Sequence, residues 1–323
     1  MDDITLRPYA EGDEAAINDG FNRTFGLTRT LDEWRWKFPA SPEGRWIMLA
    51  VDGGGRVLAH YGAVVAPMRL GPVTVRGAQI VDAYAVRLGR RRDALGHKVF
   101  TNCYEEFIRR FGAREGLPFM FGFPGGRHFE MGIKVLHYEV VGPVEFWARG
   151  VGRRPPLWLT GHRVRRGFDQ EALDGLWRRC AHRYPYATVR DGSWLERRFT
   201  ARPGVAYEHL SARRAGIVRA WAVVCRAGDV LQWADLLWDG EDSRALAALV
   251  RAVDALARTA RCRAIHLWLG GDVAAGATLS CLGFESMRQP DGLHTLARVF
   301  HPEIDLDLVR RRLYLTLGDS DLI

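Results

Sequence analysis

The chain has little lysine: of its 46 basic residues, only Lys37, Lys98 and Lys134 are not arginine. It has few cysteines. Cys103, Cys180, Cys225, Cys262 and Cys281 are far apart and form no Cys-x-x-Cys pair, which argues against a zinc cluster or a disulfide framework and leaves reduced, mostly buried thiols. No uncharged run approaches the roughly 20 residues of a membrane span, and the opening "MDDITLRPYAEGDE" is acidic with no apolar core, unlike a secretory signal. A metal-free cytoplasmic protein with no membrane partner is expected.

What is present describes a folded globular protein: 323 residues, 47% hydrophobic, 26% charged, with 11 tryptophans. That length suggests two domains of about 150 residues each. Net charge is +8. Residues 153–202 hold 12 arginines against Asp169, Glu171, Asp174, Asp191 and Glu196, which is +7 of the total. An acidic partner would be drawn there. Nucleic acid is not the expected partner, because no binding motif accompanies the charge and Trp158, Trp177 and Trp194 are spaced for packing.

The two halves repeat. "WRWKFPASPEGRWIMLAVDGGGRVLAHYGAVV" from Trp34 aligns with "LERRFTARPGVAYEHLSARRAGIVRAWAVVC" from Leu195 at an offset of 161 residues. The offset pairs Phe38 with Phe199, Pro42 with Pro203, Trp46 with Tyr207, Gly55 with Gly216, Val57 with Val218 and Ala59 with Ala220. Such register is the signature of a duplicated unit. Each copy reads as a short helix, a Pro/Gly turn and a β-hairpin. An apolar strand follows (residues 80–86; 230–236), then an amphipathic helix carrying Val99, Phe100, Phe107, Ile108 and Phe111, or Leu246, Leu249, Val250, Val253 and Leu256. Another strand (118–121; 264–269), a short helix and a final strand complete the unit. "GVGRRPPLWLTG" has the punctuation of a linker, so the expected organisation is a domain over 1–150, an Arg-rich linker and helix over 151–190, a second domain over 191–300 and a tail over 301–323.

With "LRPY" in the opening strand, the hairpin, "VDAYAV", the arginine turn before a helix, "FMFGFPGG" and "MGIKVLHYE", and with "SCLGFES" closing the second copy, the chain resembles a tandem member of the GNAT (Gcn5-related N-acetyltransferase) superfamily. The resemblance covers nearly the whole chain and implies an α/β (mixed α+β) fold class: two GNAT-like domains, each a mostly antiparallel twisted sheet flanked by helices. It also implies an acyltransferase that moves an acyl group, usually acetyl, from acyl-CoA to the amine of a small molecule by direct attack in a ternary complex.

In that family the turn after strand four follows Arg/Gln-x-x-Gly-x-Gly/Ala and grips the pyrophosphate of coenzyme A. Backbone N–H groups and the positive end of the helix dipole supply the physics. The best register is Arg91-Arg92-Asp93-Ala94-Leu95-Gly96. The implied cofactor-binding residues are Ala83, Tyr84, Ala85 and Val86 on the strand, Arg90, Arg91, Arg92, Ala94, Leu95, Gly96 and His97 at the turn and helix, and Gly125 after strand five. The catalytic candidates are Asp82, as base or amine anchor, Tyr84, and His128, whose ordinary pKa near 6.5 suits a proton acceptor.

The chain departs from the family pattern where Ala94 replaces glycine, where Gly125 stands in place of a frequent asparagine, and where Ile133 occupies the position of the usual acid tyrosine. Tyr84, Tyr104 or a residue from the other domain are the alternatives for that acid. The second copy has "LWDGEDSRAL" in place of the arginine turn, and Asp239, Glu241 and Asp242 there would repel a pyrophosphate, so the first copy is expected to hold the donor. Two other readings stay open: an acyl or aminoacyl donor carried on an acidic carrier protein, and a catalytically idle fold kept for binding.

Overall fold

The computed structural model describes residues 4–41, 44–86, 93–152 and 161–323, with backbone alone at 93–95. In chain order the elements are β1 (Thr5–Pro8), α1 (Glu14–Phe25), α2 (Leu31–Lys37), β2 (Ile47–Val51), β3 (Val57–Leu70), β4 (Val73–Ala85), α3 (Asp93–Phe111), β5 (Phe119–Gly122), α4 (Gly126–Lys134) and β6 (Glu139–Pro143). They continue as β7 (Phe146–Gly150), β8 (Arg163–Arg166), α5 (Gln170–Cys180), β9 (Tyr186–Thr188), α6 (Gly192–Leu195), β10 (Tyr207–Arg214), β11 (Ile217–Ala227) and β12 (Val230–Trp238). The last are α7 (Ser243–Thr259), β13 (Ala264–Trp268), α8 (Val273–Cys281), β14 (Glu285–Met287), β15 (His294–Val299) and α9 (Leu306–Arg312).

The chain folds as two compact units. The first comprises Met1–Pro67, Val75–Val140 and Thr295–Pro302, and its strands run in the order β1-β2-β3-β4-β5-β15-β6. The second comprises Met68–Thr74, Val141–His294 and Glu303–Ile323, with a sheet ordered β14-β7-β13-β12-β11-β10-β8. The described strand pairings are antiparallel except where strand four meets strand five: β4 runs parallel to β5, and β12 to β13.

The expected linear domain boundaries need correction. β7, placed by sequence in the first domain, pairs with β13 in the second unit, and Thr295–Pro302 supplies β15 beside β5 in the first. Residues 161–190 are not a linker: β8 pairs with β10, and α5 belongs to the second unit. A repeat shows which segments resemble one another; it does not show which partner a final strand chooses.

Local chemistry explains the elements. α2 opens with a capping box, the Thr30 hydroxyl accepting from Glu33 N–H and the Glu33 carboxylate accepting from Thr30 N–H. At the repeat-related place α6 opens with Asp191, whose carboxylate accepts from Trp194 N–H. α3 turns Val99, Phe100, Cys103 and Phe107 into the core of the first unit, and the Cys103 thiol reaches the carbonyl of Met48 on β2. Each such side chain, fully buried, contributes about 1.5–3 kcal/mol.

The hairpins match as the repeat requires. Val86 N–H donates to Leu58 O in one copy and Asp239 N–H to Arg219 O in the other. The closing turns match as well. Gly283 sits in the left-handed region at φ 89° and His137, its counterpart before Tyr138, at φ 54°. A side chain pays in strain there and glycine does not. Replacing His137 with glycine is therefore expected to stabilise the protein by about 1 kcal/mol in denaturant unfolding; an unchanged or lower midpoint would show that the imidazole makes compensating contacts.

Candidate functional site

β4 and β5 are in register for only three pairs, Gly77 with Phe119, Ala78 with Met120 and Gln79 with Phe121. β4 then runs on to Ala85, while β5 ends at Gly122, where Leu296 of β15 is its partner. The strands part on the side where α3 begins. β12 and β13 repeat this arrangement, parting after Trp233 and Leu267.

Strand four is distorted next to the parting in both copies. Asp82 has φ 51°, a left-handed conformation inside a strand, and in the second copy Val223 pairs with Asp235 and Val224 with Trp233, so Ala234 is an unpaired bulge. Each distortion puts an aspartate in the interior. The Asp82 carboxylate has no exposed surface and is bound by Arg29 and, at 2.5 Å, by the Lys37 ammonium. Burial alone would raise its pKa; Lys37 and Arg29 outweigh it and hold the carboxyl below its ordinary value. Asp82 is thus a charged anchor, and with both oxygens engaged by cations it is poorly suited to accept a proton.

Asp235 answers it in the second copy, held by Arg190 at 3.1 Å with neither side chain exposed. Arg29 and Arg190 each lie nine residues before the matched Phe38 and Phe199, and Lys37 and Arg198 immediately before them. These cations were not picked out from the sequence. The 161-residue offset was the signal that could have found them, since it pairs arginine with arginine and lysine with arginine.

The imidazole of His60 accompanies Asp82. It lies on the Tyr84 ring at 5.4 Å and 7°, and its Nδ1 is 2.7 Å from the Asp82 carbonyl, which fixes that nitrogen as the donor. Burial pushes its pKa down to about 4. The Tyr84 hydroxyl donates to Ile17 O at 2.9 Å, and burial, with Asp82 adding to it, moves its pKa well up. A Cβ on Gly20 would come within 2.6 Å of that oxygen, so only glycine lets α1 approach. Tyr104 donates to Leu136 O and accepts from Arg298. Both tyrosine hydroxyls are therefore engaged in structural bonds.

The other candidates are spread along the same end of the first unit. Ala83 and Ala85 are half-buried and Val86 is buried on or just past β4. Gly96 and the exposed His97 lie in the first turns of α3. Gly125 precedes α4 in extended conformation, and His128 is exposed in its first turn. Arg90, Arg91 and Arg92, and the side chains of Ala94 and Leu95, lie outside the described residues. No group of three or more histidine, cysteine or acidic side chains arranged to hold a metal occurs among the described residues, and no described helix is long and apolar enough to cross a membrane.

The second parting is filled by the chain's own tail. Tyr314 N–H donates to Tyr186 O at 2.7 Å, Gly270 N–H to Leu315 O at 3.0 Å, and the Tyr314 hydroxyl to Leu236 O. Gly318 lies so close that a Cβ would stand 3.2 Å from the Asp235 carboxylate and 3.3 Å from Ala234 O. Asp319 and Thr316 bond Arg190, and Arg198 donates to Gly318 O and Ser320 O. The tail runs between the ends of β12 and β13.

No protein-family profile and no curated protein sequence matches the chain. Solved structures do. A probable N-acyltransferase from Enterococcus faecalis superposes over 96% of this chain and 75% of its own with a TM-score of 0.67 at 10% identity. A tandem GNAT protein from the clavulanic acid biosynthesis pathway covers 93% of this chain and 100% of its own, with a TM-score of 0.57 at 14% identity. Saccharomyces cerevisiae N-myristoyltransferase with bound myristoyl-CoA covers 99% and 89%, with a TM-score of 0.59 at 12% identity. The fold is that of the GNAT superfamily, present twice.

Two expectations follow from the buried groups. Asp82→Ala leaves two cations without their carboxylate and should cost about 3–5 kcal/mol in denaturant unfolding; a cost under about 1 kcal/mol would mean the cations find water. His60 and His209, the latter also pushed down to about 4 by burial, stay neutral in the folded chain but take a proton below about 6.5 once unfolded. The histidine contribution to stability should therefore fall as pH drops from about 6.5 to 4 and level off below, by roughly 3 kcal/mol per histidine at most. In His60→Asn, which keeps a donor for Asp82 O, that part of the slope should be absent; an unaltered slope would clear His60 of the effect.

Proposed function

We propose that the protein is an acyltransferase that moves an acyl group, acetyl being the first candidate, from acyl-CoA to the amine of a small molecule, and that the first copy does the chemistry. The observation that carries this reading is the parting of β4 from β5 after three pairs, with α3 opening at Asp93 beyond the end of β4. A pantetheine arm laid along residues 80–85 would meet strand backbone as an added strand does. The amino end of α3, preceded by Arg90, Arg91 and Arg92, suits a pyrophosphate through its unpaired N–H groups and dipole.

Acyl-CoA, when bound, would supply the thioester carbonyl that the amine attacks, the C–N bond forming as the C–S bond breaks and coenzyme A leaving as its thiol. The chain's part is to align donor and amine and to accept the amine proton. Asp82 serves here as the anchor that keeps strand four kinked, so the proton passes to His128 at the start of α4, directly or through water. The second copy is read as scaffold: its parting holds the tail, Asp242 caps α7, and Asp239 is paired with Arg219.

Thermal unfolding with acetyl-CoA at about 100 times its dissociation constant should show roughly 2.7 kcal/mol of added stability. The gain should disappear in Arg91→Ala/Arg92→Ala, whereas His128→Ala should keep it and lose about 10²-fold in turnover or more. No shift with acetyl-CoA or longer acyl-CoAs would overturn the donor assignment, and activity with an acylated carrier protein would then replace it.

A further inference from the structure

The two buried arginines of the repeat differ in one respect. In the second copy Arg190 has an acceptor at every guanidinium nitrogen. Nε meets the Asp235 carboxylate at 3.1 Å, Nη1 meets Thr188 O at 3.2 Å, and Nη2 meets Thr316 Oγ1 at 3.1 Å and the Asp319 carboxylate. In the first copy Arg29 Nε donates to Asn18 Oδ1 at 2.7 Å and Nη1 to Asp82, but Nη2 is buried with no hydrogen-bond partner. The Arg29 side chain is only 9% exposed, and its guanidinium lies 3.7 Å from the centre of the Phe21 ring. Its bonds to Asn18 and Asp82 and its contact with that ring keep Nη2 out of water.

The group that completes Arg190 is not part of the repeating unit. Asp319 comes from the tail that follows the second copy, and it reaches Arg190 through the parting of strands four and five. The second copy thus shows what this buried arginine takes once its strand-four aspartate is in place, namely a second carboxylate delivered at the parting. A guanidinium offers several donors in a rigid plane, so binding one carboxylate leaves an edge shaped for another.

From this we infer that Arg29 is a substrate carboxylate-binding residue, and that the amine taken by the first copy is an amino acid or a peptide with a free carboxyl end. The inference rests on the transferase reading only for the word amine; the carboxylate site stands on Arg29 itself. Arg29 lies between α1 and α2, where Phe25 at the end of α1 and Leu27 in the connection are 43% and 53% exposed. A carboxylate there neutralises a buried cation that has to share the single Asp82 carboxylate with Lys37. An amide in its place offers only a neutral acceptor, and a decarboxylated amine offers none.

The test uses the full-length protein and a panel of free amino acids and dipeptides, each against its C-terminal amide and the amine lacking the carboxyl group. Thermal stabilisation and acetyl transfer from acetyl-CoA are both read. Carboxylate-bearing amines should stabilise the wild type, and at least one should exceed its amide by tenfold or more in kcat/KM. Response to free amino acids or to dipeptides alone identifies which source of the carboxylate is used. Arg29→Lys keeps a cation for Asp82 but not the second nitrogen, and should lose the preference, its own cooperative unfolding transition showing that it folds. Stabilisation by none of the carboxylates, or amides that serve equally well in the wild type, would overturn the proposal whatever the variant does. A response to carboxylates without one to acetyl-CoA would leave the carboxylate site standing and remove the transferase reading; the reverse would do the opposite.

Discussion

Asp82 carries its charge with the side chain wholly withdrawn from water, on a backbone turned into the left-handed region. Neither condition is stable alone. Left-handed aspartate costs strain, and a buried carboxylate without partners would take up a proton or unfold the site. Arg29 and Lys37 reverse the second cost, and the bonds they make hold the first in place. They come from either end of the short helix α2, so one ion cluster fixes the position of α2 against strand four. His60 adds a bond to the Asp82 carbonyl, and Tyr84 ties the same strand to Ile17 of α1. The kink, the helices and the parting of the strands are thus a single construction.

The second copy reaches the same construction with different atoms. Its strand bulges at Ala234, and the aspartate that follows meets Arg190 from the matched position in the sequence. Burial outweighs the arginine at Asp235 and pushes its pKa up to about 6, the nearby Asp319 adding to the rise, whereas at Asp82 two cations win. Two carboxylates sharing one arginine favour a closed, self-satisfied arrangement. That contrast separates the copies chemically: one parting is stitched shut by chain, and the other keeps a cation with an unmatched donor.

Much of this was legible in the sequence. The 161-residue repeat placed the hairpins, α3 and α7, and the strands on either side of them, because hydrophobic period and turn residues are local signals. The strand expected over residues 264–269 is β13, and that over 118–121 is β5, each within a residue. The exchange of β7 and β15 was not legible, since strand pairing is a choice between distant segments of similar apolar character. Nor was the state of Asp82: the left-handed turn there and the arrival of Arg29 and Lys37 depend on tertiary packing. The family pattern drew attention to the arginine turn and away from the lone arginine before α2, whose meaning lies in its partner 161 residues later.

The strand exchange bears on how such a duplicated protein can let its copies diverge. β15 lies beside β5, on the flank opposite β4, so the short strand β5 is held by residues contributed from the end of the second copy. Cutting the chain between the copies would expose that flank as an unpaired edge and remove Leu296, which packs in the core of the first unit. Likewise the second unit would lose β7 and with it Arg149, fully buried against Asp254 of α7. Neither half is complete as a linear piece. Once the halves depend on each other for closing strands, the second copy is retained whether or not it binds a donor, and its parting is free to accept the tail.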